Sequence, residues 1–406
     1  MDIEFSLIQS VGFSIVVLII GMWLKRRIYF FERFAIPSPV IGGFLFAIIN
    51  LILRQTGLAN ITFDVTVQSF FMVIFFTSVG YGASIKVLKK AGPKVMVFLV
   101  LCTVLCFFQD LVAVLLAPLV GVSKDLALMT GSVSMTGGHG VSGAISPLVE
   151  ESGVTGAETV AYTSATFGLV AGSLMGGPIA NRLILKHQLH KQESEKVHID
   201  TSLLERSVRK LRQDRIMHAF IMILLAMFIG SFITDFLNKW VGTFTEKAAF
   251  PVYLGTMLVA VFFRYINDKY EQREYEELVP VQEVEIVGTV GLNIFLAMAL
   301  MNVRLWELAD LAVPLLVLLF GQVILMAIAA YFITFRVMGK NYDAAVLAAG
   351  QVGFGMGATP NGMANMESVT TKFKPSPLAF FIVPIVGGMF IDFTNLFIIL
   401  GFLNFA

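Results

Sequence analysis

Twice in this chain a run of glycines interrupts sequence apolar enough to lie within a bilayer. The first is Gly131-Ser-Val-Ser-Met-Thr-Gly-Gly-His-Gly-Val-Ser-Gly143. The second, Gly350-Gln-Val-Gly-Phe-Gly-Met-Gly-Ala-Thr-Pro-Asn-Gly362, places five glycines and a proline in thirteen residues. Hydrocarbon offers no partner for N–H and C=O groups freed from a helix, so such backbone must be enclosed by protein or line a wet cavity. Matching breaks in the two halves of a chain point to a transporter binding site where the halves meet.

The flanking sequence supports a membrane reading. Of 406 residues, 57% are hydrophobic and 14% charged, and the mean hydropathy is +0.81, far above what a soluble domain requires. Apolar windows of about twenty residues fall at 5–24, 37–53, 67–85, 95–120, 159–185, 216–237, 249–265, 285–303, 311–335 and 377–402. They predict an all-α integral membrane protein of ten spans. Lys and Arg gather in alternate loops, as at Lys25, Arg26, Arg27 and Arg33, then Lys86, Lys89, Lys90 and Lys94. By the positive-inside rule both termini are then external. The start, Met1-Asp-Ile-Glu, lacks a basic leader segment, so the first window is read as a retained helix. A net charge of +1 with no basic stripe argues against nucleic acid as a partner.

The two halves superpose at an offset near 212–220 residues: Ser38-Pro-Val-Ile-Gly-Gly matches Phe250-Pro-Val-Tyr-Leu-Gly, and Asp125 before Gly131 matches Asp343 before Gly350. Five spans per unit would turn the second unit upside down, so the broken segments would dip in from opposite faces. The predicted organisation is an inverted repeat over 1–187 with a re-entrant hairpin near 127–152, a cytoplasmic linker over 188–214, and a second repeat over 215–406 with a hairpin near 343–371. His187, His190 and His198 in the linker region match no metal-ligand spacing. Cys102 and Cys106, one helical turn apart, form neither a disulfide framework nor a metal motif.

Gly138-His-Gly-Val-Ser-Gly143 fits the dinucleotide fingerprint, with Glu158 beyond it, but that reading requires a strand and a soluble βαβ unit. The glycines serve instead to let backbone approach a ligand and to supply positive φ at a hairpin tip. Isolated Gly42, Gly43, Gly176 and Gly177 read as helix-packing positions. Half-helix N-termini bind carboxylates without a buried cation, and hydroxyls at Ser134, Thr136, Ser142 and Thr359 would add hydrogen bonds. His139 reads equally as a ligand donor and as a structural hydrogen-bonding residue. Asp392, Thr394 and Asn395 are hard oxygen ligands, candidates for Na⁺. Asp392 also suits an ammonium partner, a proton carrier or a helix cap. Asp110, beside Gln109, reads as structural, and Asn365 as ligand or cap. No nucleophile and base stand at usable spacing, so no enzyme is predicted.

From Gly339-Lys-Asn-Tyr-Asp-Ala-Ala-Val-Leu-Ala-Ala-Gly350 through Gly353-Phe-Gly-Met-Gly-Ala-Thr-Pro360, the chain resembles the bacterial sodium/glutamate symporter family. Gly137-Gly-His-Gly140, Ala165-Thr-Phe-Gly-Leu-Val170, Gly176-Gly-Pro178 and Phe295-Leu-Ala-Met-Ala-Leu-Met301 agree with it in the same order. The resemblance implies Na⁺-coupled uptake of an acidic amino acid across the bacterial inner membrane. It further implies a homodimer, an elevator arrangement, Na⁺ as coupling ion and no organic cofactor. It places the signature hairpins on Gly137, Gly138, His139 and Gly140, and on Gly353, Phe354, Gly355, Gly357, Ala358 and Thr359. Val141 stands where the resemblance leads one to expect Thr, and Val352 where it leads one to expect Cys. The alternative function is a proton-coupled or exchange carrier of another small organic anion.

Overall fold

The computed structural model describes residues 2–189, 211–241, 250–270, 278–308 and 311–405. His190, His198 and most of the predicted linker lie outside the described residues. In chain order the elements begin with β1 (Asp2–Phe5), α1 (Leu7–Arg27), α2 (Tyr29–Arg33), α3 (Ser38–Gln55), β2 (Asn60–Phe63), α4 (Gln68–Gly82), α5 (Ile85–Lys90) and α6 (Pro93–Val120). Next come α7 (Lys124–Leu128), α8 (Gly138–Glu151), α9 (Ala157–Lys186), α10 (Gln213–Val241), α11 (Val252–Tyr270) and α12 (Val281–Met301). The chain then continues through α13 (Ala312–Ile328), a π-helical stretch Ala329–Thr334 and α14 (Phe335–Val337). It ends with α15 (Tyr342–Gly355), α16 (Thr359–Lys372), α17 (Pro377–Ile385), a second π stretch Val386–Phe390 and α18 (Ile391–Phe405).

Local chemistry sets several of these boundaries. α6 starts at a proline in its first turn behind Gly92, and stops at Gly121, whose left-handed backbone (φ 72°) returns its N–H to the Ala117 carbonyl. α7 and α15 open on side-chain caps: Ser123 Oγ accepts from Leu126 N at 3.2 Å, and Asn341 Oδ1 from Ala344 N at 2.9 Å.

Among the described residues the architecture is helical apart from one two-stranded parallel pairing of β1 with β2, in register from Asp2 opposite Asn60 to Phe5 opposite Phe63. Its side chains feed an aromatic cluster in which Phe13 lies 5.4 Å from Phe5, 5.0 Å from Phe46 and 5.5 Å from Phe63. Among the described residues, nine helical stretches are long and apolar enough to cross a membrane. They match nine of the ten predicted windows. The window at 249–265 forms α11, a 19-residue helix that is not among the nine, because its last turns carry Arg264, Asp268 and Lys269. Two of those charges are paired: Arg264 Nε meets Asp268 Oδ1 at 2.8 Å with 12% and 5% of the side chains exposed, and Ser84 Oγ donates to Asp268 Oδ2.

The chain divides into two compact units, each drawing on both halves of the sequence. One comprises Met1–Leu24, Ser38–Lys90 and Arg206–Asn302; the other comprises Lys25–Pro37, Ala91–Glu205 and Val303–Ala406. The first holds α3–α5, α10–α12 and most of α1. The second holds α6–α9 and α13–α18, and with them both glycine-rich breaks.

Small residues let the helices of the first unit close on one another. A Cβ at Gly43 would sit 2.3 Å from Leu300 Cβ, one at Gly42 2.0 Å from Val17 O, and one at Gly255 2.1 Å from Gly230 O. Backbone cannot retreat as a side-chain tip can, so overpacking here costs about 1–3 kcal/mol. Gly255→Ala is therefore expected to lower the melting temperature of the detergent-purified protein by several degrees. Gly12→Ala, with nothing within 4 Å, is expected to leave it unchanged or slightly raised. Fluorescence-monitored unfolding of the two variants side by side makes the comparison.

Candidate functional site

The first break follows from a failure of regular hydrogen bonding. After α7 the backbone runs through tight turns: Thr130 N donates to Ala127 O, Gly131 N to Leu128 O, Met135 N to Gly131 O and Gly137 N to Ser132 O. Ser132 N finds its acceptor elsewhere, in the buried carboxylate of Asp110 on α6, at 2.6 Å. Ser132 Oγ donates to the other carboxylate oxygen at 2.8 Å. Asn395 Nδ2, on α18, donates to Ser132 O at 3.2 Å. Asp110 is thus the cap of the first break, which agrees with its structural reading from sequence.

The second break separates α15 from α16 over three residues, Met356–Ala358. Ala358 N returns to Gly353 O at 3.2 Å and Gly357 N to Phe354 O at 3.4 Å. The next carbonyl, Gly355 O, accepts from Gln109 Nε2 of α6 at 2.7 Å. α16 opens with Ala358 in extended conformation and a proline in its first turn, while Thr359 Oγ1 donates to Gly387 O of the π stretch at 2.7 Å. Glycines of α9 receive the second broken segment: a Cβ at Gly168 would lie 2.2 Å from Met356 O, and one at Gly176 2.2 Å from Asn365 Nδ2.

The two breaks meet. Gly138, first residue of α8, has φ +59°, and a Cβ there would lie 2.9 Å from Gly357 O. Only glycine accommodates both that backbone and that approach. The start of α8 therefore lies beside the second break, just ahead of α16; in α16 Pro360 has no N–H and Asn361 N and Gly362 N turn back to Ala358 O, so of its first residues Thr359 keeps the N–H without an intrahelical partner.

Burial sorts the residues singled out from sequence. Gly137, Gly140, Ala358 and Thr359 are half-buried, and so are Asp392 and Thr394; Gly138, His139, Ser142, Gly353, Phe354, Gly355, Gly357 and Asn395 are buried. Ser134 and Ser142 turn toward each other, with Oγ atoms 3.0 Å apart, and Ser134 Oγ reaches Ala161 O at 2.9 Å. Thr136 Oγ1 donates to Gln109 Oε1 at 2.7 Å. His139 Nε2 lies 3.0 Å from Thr166 Oγ1, whose own proton goes to Tyr162 O at 2.9 Å. The imidazole is therefore the donor in that pair. The Phe354 ring stacks edge-on against Phe98 at 6.1 Å. Thr394 Oγ1 is shared between Thr103 Oγ1 at 2.9 Å and Ile391 O at 3.1 Å. Asn395 Oδ1 is buried without a hydrogen-bond partner. Asn365 Nδ2 ties α16 to Gly172 O at 3.0 Å and Ala349 O at 3.3 Å.

Sequence reasoning passed over three residues of this region. Asn361 Nδ2 reaches Phe34 O, Leu169 O and Ser173 Oγ at 3.1, 3.2 and 2.6 Å. Gln351 Oε1 accepts from Thr334 Oγ1, and Gln322 Nε2 donates to Gln109 O at 2.8 Å. The available signal was an amide side chain inside an apolar helix, where each such group demands a partner.

A family profile described as "Sodium/glutamate symporter" matches residues 3–375. The sodium/glutamate symporter of Haemophilus influenzae is 38% identical over 400 residues, covering 97% of this chain and 96% of that one. The chain belongs to the sodium/glutamate symporter family. The Escherichia coli K12 sodium/glutamate symporter is 36% identical over 391 residues, covering 94% of this chain and 93% of its own length. Among solved structures, the sodium proton antiporter MjNhaP1 of Methanocaldococcus jannaschii aligns over 98% of this chain and 96% of that one at a TM-score of 0.44 and 12% identity, too distant to inform the site. Membership of the symporter family places the chain among multi-pass membrane transporters of bacteria, and not among enzymes.

The contact between Gly138 and Gly357 gives a sharp expectation for this symporter-family chain. Gly138→Ala forces left-handed backbone on a side chain at about 1–2 kcal/mol and drives it against the Gly357 carbonyl. It should reduce substrate uptake by proteoliposomes more than tenfold. Gly177→Ala, whose nearest neighbour is Ser368 Oγ at 3.9 Å, should leave uptake within twofold of wild type.

Proposed function

We propose that this protein is a secondary active transporter that carries glutamate together with Na⁺ across the bacterial inner membrane. The observation that carries the reading is the approach of the α8 N-terminus at Gly138 to Gly357, two residues ahead of the α16 N-terminus at Thr359, inside one compact unit. A carboxylate placed there accepts hydrogen bonds from main-chain N–H groups and lies at two positive dipole ends, with no buried Lys or Arg required. The half-buried lip of Gly137, Gly140, Ala358 and Thr359 is where the substrate reaches those groups. Gly138, Gly353, Gly355 and Gly357 allow the backbone its close approach. The hydroxyls of Ser134, Thr136 and Ser142 hold the tip in shape from behind, His139 fixes α8 against α9, and Phe354 closes the floor.

Na⁺ binds beside this site on α18. Asn395 Oδ1, fully enclosed and without a partner, is an oxygen ligand in want of a cation, and Asp392 supplies the compensating charge three residues earlier. Thr394, shared with Thr103, braces the helix against α6. Glutamate carries net negative charge, so an ion next to it offsets the cost of taking that charge out of water. This electrostatic linkage couples the two solutes.

The wider reading follows from how the units are composed. The first takes long helices α1, α3 and α4 from one half of the sequence and α10–α12 from the other; the second takes α6 and α9 from one and α13 and α17–α18 from the other, each half adding one broken segment. Two inverted repeats of five spans, with re-entrant hairpins entering from opposite faces, produce such a division. With α11 as the remaining span there are ten, and both termini face outward. Since every candidate residue falls in the second unit, substrate and ion travel with it as one body, in an elevator-type cycle. The first unit serves as the scaffold of a homodimer.

Uptake of labelled glutamate into proteoliposomes tests the coupling. An inward Na⁺ gradient should raise initial uptake at least tenfold over Na⁺-free controls. Equal rates retire the reading, and uptake driven by a pH jump without Na⁺ selects the proton-coupled alternative. Asn395→Ala should raise the Na⁺ concentration for half-maximal uptake about tenfold, the equivalent of one lost oxygen ligand at about 1.4 kcal/mol.

A further inference from the structure

One side chain touches both breaks. Gln109, in the middle of α6 and 0% exposed, gives its amide nitrogen to Gly355 O at 2.7 Å and takes a proton from Thr136 Oγ1 on its amide oxygen at 2.7 Å. Its main-chain carbonyl is held by Gln322 Nε2 at 2.8 Å. Thr136 Oγ1 also lies 3.3 Å from Gly355 O.

Gly355 is the last residue of α15, so its carbonyl lacks an intrahelical donor and sits at the negative end of the helix dipole. A group that caps such a carbonyl fixes where the second break starts. The planar amide that does so here has its other end committed to the first break, two residues before Gly138. With both ends bonded and the backbone behind it pinned, Gln109 cannot follow one break without pulling on the other. A relative shift of Thr136 and Gly355 by about 1 Å stretches a hydrogen bond beyond useful length.

The next residue extends the link. Asp110 grips Ser132 through its N–H and hydroxyl, and Ser132 O is held by Asn395. A continuous hydrogen-bonded chain therefore runs from Asn395 through Ser132 to Asp110, along α6 to Gln109, and on to Thr136 and Gly355. Its two ends are the proposed ion position and the second break. We infer that Gln109 is the positioning residue that couples the two breaks, so that Na⁺ bound at α18 raises the affinity for glutamate at the helix N-termini. This rests on the symporter reading above and adds to it a residue that transmits the coupling without touching either solute.

Coupling is a ratio of affinities, and a purely structural residue does not change that ratio. The test is glutamate binding to the purified full-length protein by calorimetry, at low and at saturating Na⁺, for wild type and Gln109→Met. Methionine keeps the length and volume of the side chain and removes both hydrogen bonds, while Thr136 Oγ1 stays within reach of Gly355 O, leaving neither group stranded. The ratio of the two dissociation constants is expected to fall about tenfold toward one, with the ligand-free protein still melting in a single cooperative transition. A wild-type ratio in the variant overturns the inference. A ratio of one already in wild-type protein removes the symporter reading, which keeps the two failures apart. Should Gln109→Met not assemble, Thr136→Val breaks the same link from its other end, and full coupling in that variant overturns the inference equally.

Discussion

A helix that stops inside a membrane protein leaves carbonyls and N–H groups that water cannot reach, and each needs a partner from elsewhere in the chain. That requirement explains why polar residues stand where they do in sequence otherwise devoted to Leu, Val, Ile and Phe. Ser132 N is taken by Asp110, Ser132 O by Asn395 and Gly355 O by Gln109. Two of the three partners are consecutive on α6, which makes that helix the spine on which both breaks hang. A net hydrogen bond is worth about 1 kcal/mol, but a buried group left without one costs about 1–3. The polar residues thus set which arrangement of the breaks is allowed more than they raise stability.

Glycine contributes differently on either side of the breaks. In α9, Gly168, Gly172 and Gly176 recur at helical spacing along one face, and carbonyls of the second broken segment or the Asn365 side chain occupy the volume where each Cβ would be. That face is a slot for exposed backbone. At Gly138 the absent side chain instead admits left-handed conformation and the approach of Gly357 O. One residue type thus supplies room for packing in one place and conformational freedom in the other, and both are needed for two half-helices to begin side by side.

Much of this was legible in the residues alone. Periodicity and length located nine spans because lipid demands long apolar helices whatever their neighbours. α11 fell short because hydropathy scores Arg264 and Asp268 separately, whereas in space they neutralise one another at 2.8 Å. The glycine runs announced both breaks, and of the four glycines read as packing positions Gly42, Gly43 and Gly176 are close-packed, whereas Gly177 has nothing nearer than Ser368 Oγ at 3.9 Å. Partners distant in sequence were invisible: a glutamine inside an apolar helix announces that it needs a partner, but Gln109 and Gly355 are 246 residues apart, and nothing local says which group that partner is. For the same reason Ser134 and Ser142 looked like free hydroxyls until folding turned them on each other. The pairing of β1 with β2 joins four-residue strands too short to give a signal.

Spacing and contact together bear on the symmetry of the site. Gly138 and Gly357 are separated by 219 residues, as are Gly131 and Gly350, and Gly168 and Gly387. For two repeats related by a two-fold axis, a residue approaches its own counterpart only on or beside that axis. Gly138 and Gly357 stand at that common spacing, and they approach closely. An axis between them would generate the second half-helix N-terminus from the first, so a single glycine-rich motif, once duplicated, would furnish both positive dipole ends of the anion site. Side chains at the same spacing make different contacts. Ser142 corresponds to Asn361 at the same spacing, and the first turns inward to Ser134 whereas the second ties α16 to α9. If one backbone motif was duplicated in this way, it is in side chains such as these that the two copies would part.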